Sequence, residues 1–157
     1  MAVVPIDGRV RVTFATAIAS VAAPTVAELN AGTALQGFIT PDGLDITPST
    51  GKVNTSNLGS KTTTSRAGRK DYDLSLTIHH DSPTDTPYNL LPYRTTGFLV
   101  VRRGVDATTA WGAGDKVEVY PVDTGEPMHV KPEPDGTWDF TVPMFLMADE
   151  NTRAVVA

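Results

Sequence analysis

The sequence predicts an all-β domain, a sandwich or barrel with one or two short helices and a long extended loop, and three observations carry that prediction. β-Branched residues dominate, with 17 Val, 22 Thr and 5 Ile against 10 Leu, 5 Glu, 5 Lys and 1 Gln, and branched side chains suit a pleated strand better than a helix. Thirteen Gly and twelve Pro interrupt the chain often enough to supply many turns. Between them, short runs alternate apolar and polar residues, as a strand with one buried face does. At 157 residues the chain suits one hydrophobic core, so residues 1–157 are read as a single domain. A helical bundle or coiled coil is excluded.

The first element is a half-buried strand in which Val10, Val12 and Phe14 alternate with Arg9, Arg11 and Thr13. Those arginines and the small apolar stretch after them superficially mimic a secretory leader. Pro5 and Asp7 sit badly in a leader's charged region, however, and its apolar stretch lacks Leu, so a strand is the better reading. No run reaches the roughly 18 apolar residues of a membrane-spanning helix. Next, Thr25 followed three residues later by Glu28 forms a capping box, and Gly32 stands at the stop, which predicts a short helix over Val26–Ala31. Leu35–Thr40 and Leu44–Thr47 read as short strands around a turn at Pro41-Asp42-Gly43. From Ser49 to Arg66 only Val53 and Leu58 are large and apolar, so this stretch reads as an extended loop.

Asp71–His79 is the clearest strand, with Tyr72, Leu74, Leu76 and Ile78 on one face and Asp71, Asp73, Ser75, Thr77 and His79 on the other. Thr86 then caps a helical turn with Pro87 at its first position, pointing Tyr88, Leu90 and Leu91 inward before Pro92 stops it. Phe98–Val101 is a strand that ends at Arg102-Arg103-Gly104. Lys116–Val122 follows, with Val117, Val119 and Pro121 opposed to Glu118 and Tyr120. The long run Thr137–Met147 contains Trp138, Phe140, Val142, Phe145 and Met147, and Arg153–Ala157 is suited to pairing at a sheet edge. Six to eight strands at this spacing fit a sandwich or barrel.

Absence of Cys removes disulfide scaffolds, thiol catalysis and Cys-ligated zinc together. The net charge of −5 argues against a chain that grips nucleic acid over its whole surface. Its distribution says more. Between Pro48 and Lys70 lie five bases (Lys52, Lys61, Arg66, Arg69, Lys70) and no acid, leaving eight bases and eighteen acids elsewhere, which is a +5 segment attached to a −10 body. The segment is a solvated loop, a nucleic-acid arm, or an arm that docks on the acidic surface of an identical neighbour. It carries no Phe, Tyr or Trp to stack on bases, and the acidic body offers a docking surface, so the third reading ranks above the second. Opposite charges on one chain suit head-to-tail assembly into rings or filaments. Thr62, Thr63 and Thr64 fit an arm that adds a strand to a neighbouring sheet.

His79-His80-Asp81 is the cluster an enzyme hypothesis would reach for, with His129 as a remote third ligand. Adjacent residues of a strand point to opposite faces, so the two histidines are poorly placed to share one ion or one relay. No Gly-x-Ser-x-Gly elbow, phosphate-binding loop or paired-carboxylate motif is present. No catalytic, cofactor-binding or metal-ligating residue is therefore assigned, and the chain is read as a non-enzyme.

The stretch Thr86–Gly104, with Pro87-Tyr88-Asn89-Leu90-Leu91-Pro92-Tyr93 and Gly97-Phe98-Leu99-Val100-Val101-Arg102-Arg103, resembles the tail tube (major tail) proteins of long non-contractile-tailed, siphovirus-type bacteriophages of actinobacterial hosts. The resemblance continues through Ala110-Trp111-Gly112-Ala113-Gly114-Asp115 to Val122, and upstream in Thr25–Thr33 and Phe38–Leu44. It implies a β-sandwich or barrel assembled as hexameric rings stacked into a tube through which DNA passes at ejection, with a long loop touching the adjacent ring. Residues 48–70, with Lys52, Lys61, Arg66, Arg69 and Lys70, would be that inter-ring arm. The implied partners are further copies of the chain, a tape measure protein in the lumen, DNA in transit without specific binding, and terminator and distal tail proteins at the tube ends, with no membrane. The implied location is the virion tail, after synthesis in the host cytoplasm. DNA carries about one negative charge per 1.7 Å, and a basic channel would hold it. A conduit is therefore expected to be acidic or neutral, and six copies at −5 carry −30 per ring. The polar face of Asp71, Asp73, Ser75 and Thr77 is the first candidate for the lumen wall. The competing readings are another self-assembling phage component, such as a tail terminator or head decoration protein, and a soluble β-sandwich binding module.

Overall fold

A computed structural model describes residues 1–157. In chain order the elements are β1 (Val10–Ala15), α1 (Val26–Ala31), β2 (Thr33–Ala34), β3 (Ile39–Asn54), β4 (Ser65–His79), α2 (Thr86–Leu90), β5 (Thr96–Arg103), β6 (Lys116–Thr124), β7 (Met128–His129), β8 (Asp139–Leu146) and β9 (Asn151–Val155). All nine strands join one antiparallel sheet in the order β2-β1-β5-β6-β8-β4-β3, with β7 beside β8 and β9 beside β6. The all-β class with two short helices is as predicted.

The sheet curls because one of its faces is apolar on nearly every strand. Phe14, Val101, Val122, Val142 and Leu76 come from five different strands, yet they share one buried cluster with Leu35 and Leu91. Residues 35–38 join the two ends of the sheet: the Leu35 N–H donates to the Val12 carbonyl, and the His79 N–H to the Phe38 carbonyl, both at 2.8 Å. The result is an incomplete barrel. A second core lies outside it, where Val100, Val117, Val119 and Ala154 on β5, β6 and β9 are covered by Leu29 of α1, Ile18, Trp111 and Val156. β6 therefore has apolar neighbours on both faces, and Tyr120, expected on a polar face, is buried in the inner core. The capping box of α1 is present: the Glu28 N–H donates to Thr25 Oγ1 at 3.2 Å, and the Thr25 N–H to Glu28 Oε1 at 3.0 Å.

Three local expectations change. The turn expected at Pro41-Asp42-Gly43 is a bulge within β3, because Ile39 pairs with Ile78 while Leu44 pairs with Leu76. β3 thus spends six residues where β4 spends three, and the chain continues in its original direction. A Cβ at Gly43 would lie 2.3 Å from the Thr77 carbonyl oxygen, so a residue without one is required there. The loop expected over Ser49–Arg66 is strand at both ends: β3 runs on to Asn54 and β4 starts at Ser65, which leaves 55–64 as the tip. Strand formation here follows from cross-strand pairing, not from an apolar face. Finally, α2 is entered through Asp85, not Thr86, and Asp85 sits in the left-handed region at φ 49°.

Candidate functional site

Directly opposed residues of an antiparallel sheet share a face. The register therefore assembles a polar surface outside the barrel from Ser49↔Asp71, Thr47↔Asp73, Asp45↔Ser75, Ser75↔Pro143, Thr77↔Thr141 and His79↔Asp139. The predicted set Asp71, Asp73, Ser75 and Thr77 lies together along its centre, with the two aspartates exposed and Ser75 and Thr77 half-buried. Asp45, Thr47, Ser49, Thr141 and Asp139 join it from β3 and β8. No Lys or Arg occupies any of these registered positions. Thr77 and Thr141 hydroxyls lie 3.1 Å apart. His79 Nδ1 stands 2.5 Å from Asp139 Oδ1. Burial raises the Asp139 carboxyl, but bonds from the Thr137 hydroxyl and His79 outweigh it and hold the group below its usual value. The sequence marked only the β4 row of this face; the β3 and β8 rows follow from long-range register.

Beyond Ser49 and Asp71 the two strands continue as a solvent-exposed ribbon, tied to the body at its base by Lys70. From Thr47 to Asp71 every residue is exposed except the half-buried Ser56 and Gly68. Its pairing runs Thr50↔Lys70, Lys52↔Ala67, Val53↔Arg66 and Asn54↔Ser65, with a bulge beside Gly51. At the tip, the Thr55 N–H donates to the Thr64 carbonyl at 2.9 Å and their hydroxyls lie 2.9 Å apart. Thr62 to Thr64 belong to this tip and not to a strand. Of the five bases, Lys70 is tied to its own body: its Nζ bonds the Glu150 carboxylate, which also accepts from the Tyr72 hydroxyl at 3.1 Å. Burial raises the Glu150 carboxyl while Lys70 and Tyr72 lower it, and the net direction is downward; the bond to Glu150 raises Lys70. Lys52, Lys61, Arg66 and Arg69 have no acidic partner.

The histidines part company as strand geometry requires. His79 joins the polar face, whereas His80 is buried, with Nδ1 2.7 Å from Asp85 Oδ2 and its ring stacked on Trp138 at 3.8 Å and on His129 at 5.4 Å. No group of three or more His, Asp or Glu is placed to hold one metal ion. A feature invisible in the sequence is Arg102. Its guanidinium is 1 % exposed and donates to Asp115 Oδ2 at 2.8 Å and to the carbonyls of Ala110, Asp106 and Thr109 at 3.1, 3.1 and 2.6 Å. Arg102 and Arg11 also lie 4.9 and 5.1 Å from the Trp111 ring centroid. This arrangement fixes the connection between β5 and β6. No helix is long and apolar enough to cross a membrane.

A family model described as "Phage tail tube protein" matches residues 1–157, the whole chain. No curated protein matches it.

Proposed function

The chain belongs to the phage tail tube protein family, and from that premise we propose that it forms hexameric rings stacked into the tube of a siphovirus-type tail, with the polar face of β3, β4 and β8 as the lumen wall. As a member of that family it is a structural component of the virion that assembles with its own copies. The observation that carries the finer reading is the polar face itself: Asp45, Asp71, Asp73 and Asp139 among Ser and Thr, with no Lys or Arg in register. Such a surface repels DNA phosphates weakly and offers no site for counterion release, so the genome slides past it during ejection. The tape measure protein fills the same lumen beforehand, terminator and distal tail proteins close the ends, and no catalysis is assigned to any residue.

In this reading the ribbon of β3 and β4 is the inter-ring arm. An isolated two-stranded ribbon is marginal in water, and this one is exposed beyond its base and carries four unpartnered bases. Lys52, Lys61, Arg66 and Arg69 dock on the acidic body of the next ring, while Lys70 anchors the base of the ribbon through Glu150. Cryo-electron microscopy of tubes grown from the purified protein tests the assignment. Asp71, Asp73, Ser75 and Thr77 are expected on the inner wall; an inner wall on which Lys and Arg predominate overturns it.

A further inference from the structure

The barrel has an open seam. β3 pairs with β4 on one side and with nothing on the other, so its inward side chains Leu44 and Ile46 remain half-exposed. A cleft of about 410 Å³ opens along this seam, lined by Val10 and Val12 of β1 and by Ile39 and Leu44 of β3. At its mouth, where Ile6 of the same chain joins the lining, the chain presents an apolar segment without a strand partner. Residues 1–6, Met-Ala-Val-Val-Pro-Ile, contain no polar side chain, all six are exposed, and residues 1–5 make no backbone hydrogen bond.

We propose that residues Ala2–Ile6 of one copy add as a strand to the free edge of β3 in a neighbouring copy, setting Ala2, Val4 and Ile6 into the cleft between β1 and β3. Three features fit this occupant. Five extended residues span about 17 Å at roughly 3.3 Å each, the length of the β3 edge from Leu44 to Pro48. Alternate residues of a strand direct their N–H groups to the same side. When Ala2, Val4 and Ile6 bond β3, Pro5, which has no N–H, therefore falls on the side that needs none. The same alternation sends these three apolar side chains to one face. The edge and the segment are thus both incomplete in the single chain, and one contact satisfies both. The inference rests on self-assembly of the chain and adds a second, apolar joint to the charged one made by the ribbon.

The natural absence of Cys makes the test clean. Val4→Cys protein is mixed with Leu44→Cys, Ile46→Cys or Pro48→Cys protein, assembled, oxidised mildly and run on a non-reducing gel. Electron microscopy is carried out in parallel on the unmodified chain. A two-chain band at least tenfold stronger than that from Val4→Cys mixed with Asp135→Cys, for one or more of the three β3 positions, supports strand donation. That band from small soluble oligomers, when no tubes are seen, supports donation while counting against the tail tube reading. Tubes without the band overturn the inference and leave the tail tube reading intact. A cross-link obtained only within a single chain carrying Val4→Cys and Ile46→Cys together also overturns it, because the segment would then close its own barrel.

Discussion

Arg102→Met and Arg103→Met change neighbouring arginines on opposite faces of β5, and the structure assigns them very different consequences. Arg102 is 1 % exposed and its guanidinium bonds one carboxylate and three carbonyls. Removing one partner of a buried pair costs about 3–5 kcal/mol, because the other charge is stranded away from water. Here the stranded groups are Asp115 and the carbonyls of the β5–β6 connection. For a chain of this size each kcal/mol moves the midpoint by about 2–4 °C, so Arg102→Met is expected to lower Tm by roughly 6–20 °C. Arg103 bonds Glu118 Oε2 at 2.8 Å from a half-open position. Exposed pairs contribute about 0–1 kcal/mol, so Arg103→Met is expected to shift Tm by less than about 4 °C. Calorimetry on the unassembled protein makes the comparison. Acid unfolding supplies a second reading. Burial raises Asp115, but the Gly112 N–H and then Arg102 hold it below its ordinary 3.8. A carboxyl whose folded value is lowered contributes stability present above that ordinary value and lost as pH falls through the folded one. The native chain should therefore lose this contribution below about pH 4, and Arg102→Met should flatten that acid limb. Equal Tm losses for the two variants, or an unchanged acid limb, refute the reasoning.

Three further outcomes are expected. Replacing Lys52, Arg66 and Arg69 by Glu leaves the circular dichroism and Tm of the monomer nearly unchanged, since all three are exposed, and abolishes tube growth; tubes of normal length by electron microscopy refute charge-guided docking. Tube growth of the native chain weakens with added salt, because exposed pairs are screened beyond about 8 Å at physiological ionic strength, and light scattering that is flat across a salt series transfers the driving force to apolar contact. Replacing Gly51–Arg69 by Asn-Gly, which closes a two-residue turn between the register partners Thr50 and Lys70, keeps the Lys70–Glu150 bond and a folded domain but gives no tubes; sedimentation showing tubes removes the ribbon's role.

Local pattern in the sequence determined the strand alternation of β1 and β4, the capping box of α1, the edge strand at the C-terminal end, the separation of a basic segment from an acidic body, and the opposed directions of His79 and His80. Each of these depends on residues within a few positions of one another, where backbone period and cap chemistry act directly. Tertiary structure decided the remainder. Residues 49–54 and 65–70 lack an apolar face, so nothing local marks them as strands; they are strands because each supplies the other's hydrogen-bond partners. Tyr120 alternates like a surface residue and is buried because β6 has cores on both sides. Lys70 looks like the other four bases until the chain brings Glu150 to it from 80 residues away. Arg102 resembles Arg103 until the β5–β6 connection folds its carbonyls around one guanidinium and leaves the other in water. The open edge of β3 is likewise a property of strand order, which only the closed set of pairings defines, and charge, register and edge together turn a β-rich composition into a subunit built to meet its own copies.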